Sequence, residues 1–144
     1  MKLPASNFQL SNFSINCNGR LVDLNTPKIM GILNLTPDSF SDGGKFNNEK
    51  STLLHAEKLL KDGADFIDIG AQSTRPNAEY LSAEEEIRRI GNVISLIKKE
   101  FPEALISIDT FYADVVKFGY NEGMDVVNDI SGGYFDENLL PTVA

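Results

Sequence analysis

Polar side chains cluster at four points of the sequence, each directly after an apolar run. The longest cluster follows residues 29–33 and places Asn34, Asp38 and Asp42 within nine positions. Shorter clusters occupy residues 70–76, 109–110 and 128–129. Carboxylates, amides and hydroxyls at such points can hydrogen-bond a polar ligand or take part in proton transfer. A strand that ends in a polar loop fixes its last residues rigidly while the loop adapts, so these clusters indicate a binding or catalytic site.

Composition and charge exclude several classes of protein. The chain has 144 residues and a formal net charge of −8, which argues against the clustered Lys and Arg of a nucleic-acid-binding surface. One cysteine excludes an internal disulfide, and one histidine excludes a zinc site built from several Cys and His ligands. No segment has the apolar length of a signal peptide or a membrane span, so we expect a cytoplasmic protein that does not bind membranes.

The order of predicted elements indicates an α/β protein with parallel strands. An Asn18–Gly19 pair between two short runs predicts a β-hairpin, and we assign residues 1–27 to it. Residues 28–144 then alternate strand and helix four times, which predicts right-handed crossovers. A doubly wound sheet and a (β/α)₈ barrel both fit. The absence of a G-x-G-x-x-G or P-loop motif after any strand weakens the doubly wound sheet, but a barrel needs about 250 residues.

Four segments of the chain together resemble dihydropteroate synthase, a pterin-binding enzyme family. Residues 30–44 contain MGILN and TPDSFSDGG, residues 73–76 read STRP, residues 108–110 read IDT, and residues 127–130 read VNDI. The resemblance implies a TIM (β/α)₈ barrel, of which residues 28–144 would form the first four β/α units. Gln72 departs from the pattern, because many members carry Glu there.

The resemblance implies a reaction and a set of contacts for it. The family condenses 6-hydroxymethyl-7,8-dihydropterin diphosphate with p-aminobenzoate, releasing pyrophosphate in folate synthesis. Asp109 and Asn128 would hydrogen-bond the pterin, and Thr74 would also contact this substrate. Asn34 resembles the ligand of Mg²⁺, the implied cofactor. From the residues alone, the favoured interpretation of Asp109 is a helix N-cap, and Asn128 could be a turn-forming asparagine.

Two loops would supply the remaining functional residues by the same resemblance. Asp42 would face the positive charge that develops on the pterin when the diphosphate leaves, and Arg75 would help to order the site. Phe40 and Pro76 would form an apolar slot for p-aminobenzoate, the position at which sulfonamides act. Without the resemblance, Arg75 reads as a solvated loop charge and Phe40 as an apolar loop anchor.

Two other functions fit the same residues. A pterin-binding domain of a folate-dependent methyltransferase would share the barrel and the Asp and Asn contacts. A non-catalytic pterin-binding subunit would also fit, because the Lys and Arg residues of the family's later strands have no counterpart here. We expect a homodimer, and we expect the chain to be an amino-terminal portion that is weak or inactive alone. Cys17 reads as an incidental surface thiol.

Overall fold

The computed structural model describes residues 13–35, 45–72 and 80–144. The side chains of residues 45–48 lie outside the description. The elements, in chain order, are β1 (Ser14–Cys17), β2 (Arg20–Asp23), β3 (Met30–Asn34), α1 (Lys45–Lys61), β4 (Phe66–Gly70), α2 (Ala83–Ile90), α3 (Val93–Glu100), β5 (Leu105–Asp109), α4 (Ala113–Glu122), β6 (Val126–Asn128) and α5 (Leu139–Val143).

The main sheet has four parallel strands in the sequential order β3, β4, β5 and β6. Successive side chains of a strand point to opposite faces. Leu33, Ile69 and Ile108 occupy paired positions on the face that packs against the helices, and each is at most 1% exposed. Full burial of one such side chain stabilises a protein by roughly 1.5–3 kcal/mol. This face is therefore the main hydrophobic core, and it leaves the other face free for polar groups.

The hairpin formed by β1 and β2 packs against the amino-terminal end of the sheet. Asn18 and Gly19 adopt positive φ angles of 50° and 85°, as expected for the two-residue turn that the sequence predicts. Cys17 and Val22 pack with Phe66 and Leu105, the first residues of β4 and β5. The expectation of a surface thiol is wrong, because Cys17 is 2% exposed in this cluster.

The region between β4 and β5 contains two helices, where the sequence predicts one from residue 82 to about residue 100. The sequence from Ser82 to Glu85 is a capping box, which predicts Ser82 as the N-cap. This prediction is confirmed, since the Ser82 hydroxyl accepts a hydrogen bond from the Glu85 amide at 3.3 Å. The helix ends early at Gly91, whose φ of 50° lies in the left-handed region. A new helix starts at Val93 after Asn92, whose side chain donates to Glu49 at 3.0 Å.

Both outer strands of the main sheet have an unpaired edge within the described part of the chain. The face of the sheet opposite to the helices is called the inner face. At the β3 edge it carries Met30 and Ile32, which are 40% and 60% exposed. The sheet is therefore open rather than closed into a barrel. None of the helices described here has the length and apolar character needed to cross a membrane.

Candidate active site

Four positions form one row across the carboxyl-terminal end of the sheet. Asn34, Gly70, Asp109 and Asn128 are paired in register on neighbouring strands. A Cβ added at Gly70 would lie 3.2 Å from Asn34 Oδ1 and 3.9 Å from Asp109 Oδ2. The glycine therefore leaves a space that an amide oxygen and a carboxylate border from two sides. The structure thus brings together Asn34, Asp109 and Asn128, which the sequence predicts as site residues.

Asp109 is a half-buried carboxylate that receives no hydrogen bond from any residue the structure describes. Burial raises the pKa of Asp109, and the negative charges of Asp68 and Asp129 raise it further. A partly desolvated carboxylate without a donor carries an energetic cost, which a ligand with N–H groups would relieve. Such a perturbed carboxylate at a strand end is typical of a functional site.

Asp109 does not cap a helix and Asn128 does not close the turn after β6, because other residues fill these two structural roles. The first amide of α4, at Ala113, donates to Asp136 at 2.8 Å, so Asp109 is not the N-cap of that helix. Asp129 closes the turn after β6 by accepting hydrogen bonds from Ser131 and from the Gly133 amide. Burial alone would raise the pKa of Asp129, but these hydrogen bonds lower it below its ordinary value.

A buried glutamate connects the ends of β4 and β5. Glu86 of α2 is 0% exposed, and its carboxylate accepts from the Thr110 hydroxyl at 2.7 Å and from the Gln72 amide at 2.5 Å. Burial raises the pKa of Glu86 in spite of these hydrogen bonds, which lower it. Gln72 also exchanges hydrogen bonds with the backbone of Leu81, at 3.1 and 3.4 Å. The departure from the family pattern at Gln72 thus supplies a donor to Glu86.

An aromatic cluster lies beside this network at the same end of the sheet. The Phe111 ring contacts three neighbours, with centroid distances of 5.5 Å to Tyr80, 4.5 Å to Tyr112 and 4.8 Å to Phe135. The Tyr112 hydroxyl donates to the Leu81 carbonyl at 2.7 Å. These contacts join the segments that follow β4, β5 and β6, and they hold the backbone next to Asp109.

A second carboxylate, which the sequence analysis missed, lies on the inner face one layer below the row. Asp68 is 7% exposed and accepts a hydrogen bond from Asn128 Nδ2 at 3.0 Å. The signal was available in the sequence, because a charged residue within the apolar strand 66–70 must be buried with a partner. Glu86 carried a similar signal, since it precedes Ile90 by four residues on the apolar face of α2.

The remaining predicted site residues lie outside the described residues and stay predictions. They are Phe40, Asp42, Thr74, Arg75 and Pro76. Within residues 13–35, 45–72 and 80–144, no three His, Cys, Asp or Glu side chains group as a metal site. His55 is exposed on α1.

Comparisons of the sequence and of the structure with known proteins match this chain to the same group of proteins. The family model described as pterin binding enzyme matches residues 30–144. The chain is 47% identical over 122 residues to the mitochondrial folate synthesis bifunctional protein of Arabidopsis thaliana, covering 83% of this chain and 22% of that protein. A structure of Xanthomonas albilineans dihydropteroate synthase with 4-aminobenzoic acid superposes with a TM-score of 0.80 at 37% identity, covering 90% of this chain and 48% of that one.

A further solved structure contains a pterin compound. Dihydropteroate synthase from Anaplasma phagocytophilum with bound 6-hydroxymethylpterin-monophosphate has a TM-score of 0.72 at 40% identity, covering 81% of this chain and 44% of that one. The chain thus spans less than half the length of each of these three proteins. The family match covers most of the chain and includes every residue of the row at the carboxyl-terminal end of the sheet. The chain therefore belongs to the pterin binding enzyme family.

Proposed function

We propose that the protein is a dihydropteroate synthase and that residues 28–144 supply the first four β/α units of its (β/α)₈ barrel. The observation that carries the proposal is the half-buried Asp109 carboxylate, which has no donor among the described residues and lies in one row with Asn34 and Asn128. Two supporting facts are the family membership and the relatives crystallised with 4-aminobenzoic acid and with a pterin monophosphate. The sequential strand order and open edges fit a barrel completed by further strands.

The row suits the aminopyrimidinone edge of a pterin, which offers adjacent N–H donors and a carbonyl acceptor. The Asp109 carboxylate accepts from the ring N–H and the amino group, and the Asn128 amide supplies both a donor and an acceptor. A ligand without those N–H groups leaves a partly buried carboxylate unpaired, so the site discriminates strongly against it. Because burial and two neighbouring carboxylates raise the pKa of Asp109, acid weakens this contact sooner than it would at an ordinary aspartate.

Asn34 fits the Mg²⁺ that the family resemblance implies. Its Oδ1 borders the space above Gly70, and a neutral oxygen with room for water and phosphate oxygens suits this cation. When bound, Mg²⁺ neutralises charge on the diphosphate and makes it a better leaving group. Asn34 would hold the cation at the rim of the sheet, on the side of the row opposite to Asn128.

The reaction forms one C–N bond and breaks one C–O bond. The aminobenzoate nitrogen attacks the exocyclic methylene of the pterin, the diphosphate leaves with the bonding electron pair, and the amine loses one proton. Asp109 and Asn128 hold the pterin ring in place during this displacement. Asp42 would stabilise the positive charge on the methylene, Arg75 would order the loops, and Thr74 would contact the pterin. Phe40 and Pro76 would enclose the aminobenzoate ring. A homodimer and a cytoplasmic location remain predictions.

Calorimetric titration with 6-hydroxymethylpterin monophosphate tests the pterin contact directly. Asp109→Ala removes charge-assisted hydrogen bonds of about 1.5–3 kcal/mol each, so the dissociation constant should rise at least about 100-fold. The matched control is Asp114→Ala, which removes an exposed carboxylate of α4 and should leave binding unchanged. Unchanged affinity of the Asp109 variant would refute the assignment.

Product formation from dihydropterin diphosphate, p-aminobenzoate and Mg²⁺ tests the activity. Formation of dihydropteroate by the intact protein would support the proposed synthase function. Turnover that rises faster than linearly with concentration would show that copies assemble to complete the site. Pterin binding without turnover would instead favour a non-catalytic pterin-binding subunit. Methyl transfer from methyltetrahydrofolate to a corrinoid partner would favour the methyltransferase.

A further inference from the structure

We propose that Asp68 is a positioning residue that fixes the orientation of the Asn128 amide toward the pterin. The inference rests on the proposed function and adds a residue that does not itself contact the substrate. Asp68 lies on the inner face of β4 and accepts from Asn128 Nδ2 at 3.0 Å, although 60 residues separate the two in sequence.

The chemistry of the pair dictates which way the amide faces. An ionised carboxylate only accepts hydrogen bonds, so the NH₂ group of Asn128 must point toward Asp68. The side-chain oxygen of Asn128, Oδ1, is then left as an acceptor, and no residue in the described part of the chain donates to it. One N–H of the amide also remains for a ligand. Without Asp68, the amide could rotate by about 180° and exchange its donor and acceptor.

The burial of Asp68 indicates that the residue is more than a packing element. Asp68 is 7% exposed, and its second oxygen, Oδ1, has no hydrogen-bond partner within the described residues. An unpaired buried oxygen of this kind costs about 1–3 kcal/mol. Among the described residues, the hydrogen bond from Asn128 is the contact that offsets this cost.

Ser107 provides a matched control in the same layer of the sheet. It pairs with Asp68 in the register of β4 and β5, is 0% exposed, and its hydroxyl likewise lacks a partner among the described groups. Ser107→Ala therefore removes a buried polar atom from the same layer without touching Asn128. It should change pterin affinity by less than about twofold, because no contact to the amide is lost.

The test is a double-mutant cycle in the intact protein, with 6-hydroxymethylpterin monophosphate as the titrant. Asp68→Val removes the acceptor at similar volume and should raise the dissociation constant about tenfold, because the Asn128 amide is then no longer held in the orientation that its hydrogen bonds to the pterin need. Asp68→Asn keeps an acceptor oxygen and should recover affinity to within about threefold. In an Asn128→Ala background, Asp68→Val should change affinity by less than about twofold, because the two residues act as one unit.

The outcomes distinguish a failure of the positioning role of Asp68 from a failure of the proposed pterin contact. Equal losses from Asp68→Val in both backgrounds, or an equal loss from Ser107→Ala, would overturn the positioning role while leaving the pterin site intact. Unchanged affinity of Asn128→Ala would overturn the pterin contact itself, and the inference with it. If Asp68→Val does not fold, NMR of the Asn128 side-chain amide in Asp68→Asn decides. Loss of the carboxylate should shift these resonances upfield, and unshifted resonances would overturn the inference.

Discussion

Replacement of Glu86 should affect stability in a way that depends on pH. Glu86→Ala leaves two donors without their acceptor, the buried Thr110 hydroxyl and the partly buried Gln72 amide. Gln72 cannot turn to another partner without losing its two hydrogen bonds to Leu81. Thr110 follows Asp109 directly, so the perturbation also reaches the proposed pterin contact.

The magnitude follows from the groups left unpaired. Each buried donor without a partner costs about 1–3 kcal/mol. The substitution also removes the desolvation cost of the buried Glu86 carboxylate, which offsets part of this loss. We expect Glu86→Ala to lower the free energy of unfolding by about 2–4 kcal/mol. Glu86→Gln should cost only about 1 kcal/mol, since its oxygen can accept from Gln72 while the Thr110 hydroxyl rotates to accept from the new NH₂ group.

The pH dependence of the Gln variant has a defined sign. Burial raises the pKa of Glu86 in the folded protein above its ordinary value of 4.5. A raised carboxyl pKa contributes stability that is fully present below the unfolded pKa and is lost as the pH rises through the folded pKa. The wild-type protein therefore loses this contribution with rising pH, whereas Glu86→Gln has none to lose. The difference in stability between the two should shrink as the pH rises above about 4.5.

Urea denaturation of the wild-type protein and both variants between pH 4 and pH 7 measures these differences. The control is Glu84→Gln on the same helix. Glu84 is exposed, and hydrogen bonds from its own amide and from Ser82 lower its pKa. The loss in free energy of unfolding caused by Glu84→Gln should therefore grow with rising pH, whereas the loss caused by Glu86→Gln should shrink. A pH-independent difference for Glu86→Gln, or a loss below about 1 kcal/mol for Glu86→Ala, would refute the reasoning.

Two further predictions concern glycines at which an added Cβ would crowd a neighbouring side chain. Gly119→Ala would place a Cβ 2.3 Å from Ile108 Cδ1, so thermal denaturation should show a loss of about 1–3 kcal/mol. Asn121→Ala, an exposed change on the same helix, is its control, and an unchanged midpoint for Gly119→Ala would contradict the prediction. Gly70→Ala would place a Cβ 3.2 Å from Asn34 Oδ1 and should weaken pterin monophosphate binding about tenfold in calorimetry. An unaltered dissociation constant would show that the ligand does not use the space beside Gly70.

The sequence predicted the part of the site that depends on strand ends. Asn34, Asp109 and Asn128 each end an apolar run, and parallel strands bring such ends to one edge of the sheet. The sequence did not predict Asp68 or Glu86 as site residues. Each lies inside a strand or helix, and its hydrogen-bond partner is distant in sequence. Both carried the signal of a charged residue at an apolar position, but that signal does not identify the partner.

Local physical chemistry therefore determined the elements, whereas tertiary contacts decided how they are used. The Asn18–Gly19 turn and the Ser82 cap follow from steric freedom and hydrogen bonds within a few residues, so the sequence alone determined them. The burial of Cys17 required the hairpin to dock on the first residues of β4 and β5, which no local pattern encodes. The Asp68–Asn128 hydrogen bond likewise requires three strands to align in register, and only the folded sheet supplies that alignment.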